Sequence, residues 1–268
     1  MIGAIFGDIV GSVYEFDNIK TKEFELFSSK CEYTDDTVMT IAVADALLEY
    51  DKIDDIDTFK TTLIKKMHYY GDIYPHVGYG GRFSYWLDLH SFEPYGSFGN
   101  GSAMRVSPVA WYANSLEEAL IIAEATASVS HDHPEGIKGA VVTAGAAYLA
   151  RVGADMEQIK EFVAGYYEID FTLDEIRPTY YFNETCQYTV PEAMESFFES
   201  TSFEDTIRNG ISIGGDSDTL CAIAGAVAEC YYGVSREQRD KALSYLDQRL
   251  RGVVERFEKK YIVGRKIQ

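Results

Sequence analysis

Apolar residues recur along most of this chain at spacings of three and four, the period of a helix with one face on a core, and alternating strand patterns are scarce. Val38, Ile41, Ala44, Leu47 and Leu48 form one such face, and Phe59, Leu63, Ile64 and Met67 form the next. Ser115 followed by Glu118 is a capping box, which predicts a helix from near Leu116 through Ala119, Ile122, Ala123, Ala127 and Val129 to near Ser130. The run from Ala140 to Val152 is small and apolar with little polar interruption and predicts a helix buried on most sides, while Met156 to Tyr167 predicts an amphipathic one. Leu220 to Tyr232, with Ala222, Ala224, Gly225, Ala226, Ala228 and Cys230, predicts another nearly all-apolar helix whose small residues let neighbours approach closely. Ser235 to Tyr261 supplies the last helical segments, with a break expected around Gly252.

Two Tyr-rich stretches, Tyr69 to Phe98 and Tyr166 to Tyr188, interrupt this pattern and read as irregular. Gly78, Gly80, Gly81, Gly96, Gly99 and Gly101 lie in or just after the first. Long loops with this aromatic content are expected to carry function, since disordered segments are poor in such residues. No linker, charge block or repeat divides the chain, so one all-α domain over residues 1–268 is the expectation.

At 46% hydrophobic and 14% aromatic residues the chain has the material for a real core. Its 43 acidic against 24 basic side chains give a net charge of −19, which repels nucleic acid and anionic membrane surfaces; neither is an expected partner. An anionic ligand would need bound cations or local N–H groups to reverse the field at its site. Cys31, Cys186, Cys221 and Cys230 show no C-x-x-C spacing and are expected to be reduced thiols. The stretch from Met1 to Asp8 has no basic lead and is broken by glycine, and no segment reaches the roughly 20 apolar residues of a membrane span. A cytoplasmic location is the expectation.

Two acidic clusters then change the picture: Thr34, Asp35, Asp36, Thr37, and Gly214, Gly215, Asp216, Ser217, Asp218, Thr219, each running into an apolar helix. Either cluster alone is adequately explained as a helix N-cap. Capping does not explain the paired glycines before Asp216, or carboxylates at consecutive and alternate positions, which repel unless a cation sits among them. Oxygen donors without Cys or His suit Mg²⁺, Mn²⁺ or Ca²⁺, and the missing EF-hand glycine and glutamate disfavour a calcium loop. Two clusters make a two-ion site the expectation.

With these motifs on hand, the chain resembles the ADP-ribosylglycohydrolases of the dinitrogenase-reductase-activating type. Gly7, Asp8, Gly11, Ser12, Glu15 and Phe16 look like that family's N-terminal segment, and Thr34 to Thr37 like its first metal motif. Gly99, Asn100, Gly101, Ser102, Ala103, Met104 and Arg105 look like its Gly-rich substrate loop; Ser130, His131, His133 and Pro134 and then Gly214 to Thr219 complete the series. The resemblance spans nearly the whole chain and implies an orthogonal multi-helix bundle. It also implies two Mg²⁺ or Mn²⁺ ions held by Thr34, Asp35, Asp36, Asp216, Asp218 and Thr219, with Asp218 bridging.

The implied reaction is hydrolysis of the glycosidic bond between ADP-ribose and a modified acceptor, with arginine-linked favoured over serine-linked substrate and Asp36 and Glu15 as proton-handling candidates. Glu15 also stands as a mobile gate or metal ligand. Gly99, Asn100, Gly101, Ser102, Ala103 and Met104 would take the diphosphate, His131 the diphosphate or a ribose hydroxyl, and an aromatic of either Tyr-rich loop the adenine. The acidic residue that assists from a substrate loop in some relatives has no clear match among Asp72, Asp88 and Glu93. The partner expected is an ADP-ribosylated protein or small conjugate. The rivals are a non-catalytic ADP-ribose-binding or structural relative, and a hydrolase of another ADP-ribose conjugate.

Overall fold

The computed structural model describes residues 1–263, and among these the chain is all-helical, with one isolated antiparallel bridge between Gly99 and Thr185 in place of any strand. In chain order the helices are α1 (Ile2–Gly11), α2 (Asp35–Leu47), α3 (Ile56–Ile73), α4 (Gly81–Asp88), α5 (Gly101–Met104), α6 (Ser107–Tyr112), α7 (Leu116–Ser128) and α8 (Pro134–Arg151). They continue as α9 (Met156–Ala164), α10 (Leu173–Ile176), α11 (Val190–Phe198), α12 (Phe203–Ile213), α13 (Ser217–Tyr232), α14 (Arg236–Leu243) and α15 (Gln248–Tyr261). No helix among the described residues is long and apolar enough to cross a membrane, and all four cysteines are free.

The core is organised around α13, buried without interruption from Ser217 to Glu229 and packed by α1, α8, α11 and α12. Its tightest neighbour is α1, itself buried at every residue. Gly3, Gly7 and Gly11 recur every fourth position on α1, so they fall on one stripe of the helix. A methyl at Gly7 would land in the Cys221 carbonyl, and one at Gly11 would lie 2.5 Å from Asp218 Cα. The two helices therefore meet backbone to backbone. Ile5, Phe6 and Ile9 are fully buried, worth about 1.5–3 kcal/mol each. That outweighs the roughly 0.5–1 kcal/mol a helix-interior glycine gives up relative to alanine. At the far end of the seam the Met1 ammonium pairs with the buried Glu229, whose carboxylate also accepts from Gly3 N at 2.8 Å.

The apolar periodicity locates most helices, and the departures have local causes. Ser115 Oγ accepts from Glu118 N at 3.1 Å, but the Glu118 carboxylate turns to Asn114 N at 2.6 Å, so half of the expected box forms and α7 ends at Ser128. α8 starts at Pro134, before Ala140, because His133 caps it and proline's fixed φ suits a first turn. The break expected around Gly252 lies at residues 244–247; Asp247 Oδ1 accepts from Arg249 N and Leu250 N and restarts the helix, and Gly252 sits inside α15. Within the stretch read as irregular from Tyr69 to Phe98, α3 runs on to Ile73 and α4 forms, burying Phe83, Trp86 and Leu87. The second Tyr-rich stretch stays largely irregular apart from α10 and a 3₁₀ turn, Cys186–Tyr188.

Candidate active site

Helices α2 and α13 begin at the same point of the molecule, and α1 ends there. Asp8, on the last turns of α1, is fully buried and accepts from Thr34 N at 3.0 Å, Thr34 Oγ1 at 2.7 Å and Thr37 N at 3.1 Å. It thus caps α2 from a neighbouring helix. Asp36 Oδ2 accepts from Thr34 Oγ1 and Thr219 Oγ1, both at 3.2 Å, whereas its Oδ1 is buried with no hydrogen-bond partner. Asp216 Oδ2 accepts from Asn100 Nδ2 at 2.7 Å, and Asp218 Oδ1 from Thr219 N at 3.0 Å.

These contacts assemble two carboxylate triplets, Asp8 with Asp36 and Asp218, and Glu15 with Asp216 and Asp218, each with oxygens within 4.8 Å of one another. Asp218 belongs to both. The six predicted ligands all come together at one cavity or its floor, but Asp35 stands outside both triplets. Asp35 and Asp36 are successive residues of α2, about 100° apart around its axis, and it is Asp36 that turns to the Asp8 and Asp218 carboxylates. Asp8 is the residue sequence reasoning missed; its signal was a lone carboxylate in an otherwise apolar, Gly-spaced segment.

The electrostatics are those of a place built for cations. Burial, then the charge of Asp218, pushes Asp35 and Asp36 well above the usual carboxylate range, and burial with Asp216 does the same to Asp218. Burial raises Glu15 to about 8, with Asp218 adding to it, and raises Asp216 to about 6 against the opposing Asn100 hydrogen bond. Asp36 Oδ1, buried without a partner, is an acceptor that a hard cation would satisfy, and the all-oxygen donor set fits Mg²⁺ or Mn²⁺.

Above this floor opens a cavity of about 460 Å³. One wall is glycine, Gly78, Gly80 and Gly81 from one loop and Gly99 and Gly101 from the next, so main chain lines it; Gly99 N donates to Ser97 Oγ at 3.2 Å and Asn100 N to Glu184 O at 2.8 Å. Asn100 and Met104 also line it, while Ser102 turns away to donate to Gly136 O at 2.6 Å and Ala103 packs in the core. His131 lines the same wall; a Cβ on Gly101 would lie 3.1 Å from its Nε2. Arg105 donates to Thr126 O and Ser130 Oγ, both at 2.8 Å, and Ser130 Oγ lies 2.8 Å from His131 Nδ1. Burial, and then the charges of Arg105 and Arg82, hold His131 well below the usual imidazole range, which favours the neutral ring.

Of the aromatics, Tyr95, Phe98 and Phe182 from the two Tyr-rich stretches and Phe83 from α4 reach the cavity; most other tyrosines pack elsewhere. Asp72, Asp88 and Glu93 do not line it, and Asp72 sits 3.3 Å from His90 Nε2. Glu184 does line it, unpredicted, because residues 184–186 hydrogen-bond to the backbone at 98–100.

A family model described as ADP-ribosylglycohydrolase matches residues 1–263. The chain is 26% identical to ADP-ribosylhydrolase ARH3 of Mus musculus over 319 residues, covering 88% of this chain and 83% of the relative. It is 26% identical over 269 residues to ADP-ribosylarginine hydrolase Tri1 of Pseudomonas putida (strain GB-1), covering 88% and 70%. A solved structure titled ADP-ribosylglycohydrolase-related protein complex superposes with a TM-score of 0.70 at 19% identity, covering 97% of each chain, which supports the fold. The chain belongs to the ADP-ribosylglycohydrolase family.

Proposed function

We propose that this member of the ADP-ribosylglycohydrolase family hydrolyses the glycosidic bond between ADP-ribose and a modified side chain, and that arginine-linked substrate is preferred to serine-linked. The observation that carries the reading is the pair of carboxylate triplets sharing Asp218 beneath a glycine-walled cavity. Asp8, Asp36 and Asp218 would hold one divalent ion, and Glu15, Asp216 and Asp218 the other, with Thr34, Asp35 and Thr219 completing the shell. Two such ions, when bound, supply the charge that acidifies water and steadies ribose oxygens.

Cleavage at the anomeric carbon passes through an oxocarbenium-like state and needs a base toward water and an acid toward the leaving group. Asp36 and Glu15, both lining the cavity, are the proposed proton carriers. The Gly99 to Gly101 turn and His131 are the groups proposed to meet the diphosphate, with the Arg105 charge behind them countering the net charge of −19. Phe98 and Tyr95 offer faces for adenine. The arginine preference rests on Glu184, which lines the cavity and suits a guanidinium, and on the name of the P. putida relative. We further infer one domain over residues 1–268, since buried apolar residues from Met1 to Tyr261 form a single large cluster.

Release of ADP-ribose from arginine-linked and serine-linked conjugates, side by side with Mg²⁺ and with EDTA, tests this. Metal-dependent release, faster from the arginine linkage, is the expected result. No release from either, with ADP-ribose still bound, would transfer the protein to the non-catalytic rival.

A further inference from the structure

Glu15 and Asp216 come from opposite parts of the chain, and neither is carried in the middle of a helix. Glu15 follows α1 in an irregular segment that runs to Tyr33, and Asp216 is the first residue after a turn in which Gly214 and Gly215 both have positive φ, +72° and +82°. Something must fix these two loops against each other if their carboxylates are to share Asp218. One exposed side chain does so. Asn18 Nδ2 shares its two N–H groups among Tyr14 O at 2.6 Å, Glu15 O at 3.0 Å and Gly215 O at 2.9 Å, and its Oδ1 accepts from Gly215 N at 2.8 Å.

We propose that Asn18 is a positioning residue for the acid centre: its amide clasps both the N–H and the C=O of Gly215 while holding the Tyr14 and Glu15 carbonyls. The inference rests on the metal-centre reading above and goes beyond it, since Asn18 touches no carboxylate of either triplet in the contacts described. The amide group is required because it both donates and accepts. Alanine does neither, and aspartate keeps the acceptor for Gly215 N but sets a negative oxygen against three carbonyls. The Tyr180 ring closes over the same turn, where a Cβ on Gly215 would lie 3.1 Å from its Cδ1, so the Gly215 peptide cannot swing away to find a substitute partner. Lys20 supports the same junction through the Ile213 and Tyr180 carbonyls, and Lys22, further along, pairs with Asp205 away from the centre.

The test is titration of the full-length, metal-stripped protein with Mn²⁺ alone, followed by its paramagnetic resonance signal, for wild type, Asn18→Ala, Asn18→Asp and Lys22→Ala. Both Asn18 variants should lose roughly 10- to 100-fold in Mn²⁺ affinity, the range for residues that orient ligands. Lys22→Ala, which removes a tether of the same segment, should bind Mn²⁺ as wild type does. Free ADP-ribose affinity, measured without metal, should be unchanged in the Asn18 variants, because Gly99, Gly101 and His131 lie on other elements. Wild-type Mn²⁺ affinity in both Asn18 variants would overturn the inference, as would an equal loss in Lys22→Ala, which would reduce the clasp to general stiffening. A wild-type protein that binds no Mn²⁺ would instead overturn the metal-centre reading itself.

Discussion

The floor and the mouth of the cavity are built on opposite principles. The floor is held by the ends of α1, α2 and α13, buried helices of which α1 and α13 meet backbone to backbone along a glycine stripe, with both Asp8 oxygens and one oxygen each of Asp36, Asp216 and Asp218 met by a named donor. The mouth is made of irregular segments, residues 74–80, 89–100 and 177–185, whose aromatic side chains include the exposed Phe98 and the half-buried Phe182, the latter stacked on Phe16 of the segment after α1. Groups that must meet within tenths of an ångström sit on the rigid part, and groups that meet variable acceptors sit on the adaptable one.

The comparison breaks most sharply at Asp218, the residue both triplets share. Asp218→Ala should lower kcat by more than the roughly 10- to 100-fold of an outer-shell change, with helical circular dichroism unchanged. Turnover near the wild-type level at limiting Mg²⁺ would remove the shared-ligand role. Next in size, Gly11→Ala should destabilise the seam by about 1–3 kcal/mol or more, because the new methyl meets main chain that cannot rotate away. In thermal unfolding that is a drop of several degrees. An equivalent change in the mouth, Gly96→Ala, has open space around it and only the strain of φ +66° to bear, and should cost less.

The smallest effect sharpens the electrostatic side. Glu15 is raised from an ordinary 4.5 to about 8, so without metal the folded state holds a proton that the unfolded state releases. Stability from that group is complete below about pH 4.5 and is lost as pH climbs to about 8. The metal-free protein should therefore melt progressively lower across that interval, and Mg²⁺ should flatten the slope by replacing the proton. A melting temperature that rises with pH in EDTA would contradict the crowded-carboxylate account.

What the sequence revealed follows the range of the signals. Asp35 with Asp36, and Asp216 with Asp218, were legible as acidic clusters because each pair is local and precedes an apolar period. Which member of the first pair joins a triplet was not, since that depends on helix phase against a partner far along the chain. Helix α1 escaped because a segment buried on all sides has no polar face to set a period, although Gly3, Gly7 and Gly11 marked its contact stripe. Asp8 escaped with it. The break at residues 244–247 was misjudged because Gly252 is the more conspicuous signal, yet the cap at Asp247 decides where a helix starts.

The seam between α1 and α13 also sets a timetable for synthesis. Gly3 of α1 has its contact at Gly225, so an almost wholly apolar helix made first must wait for about two hundred further residues before its groove exists. At a roughly 5–20 residues per second rate of translation, that is on the order of 10–40 s with an unshielded greasy surface. Until α13 emerges from the ribosome, neither the core nor the acid centre can form, and α1 is the segment a holding chaperone has most reason to cover.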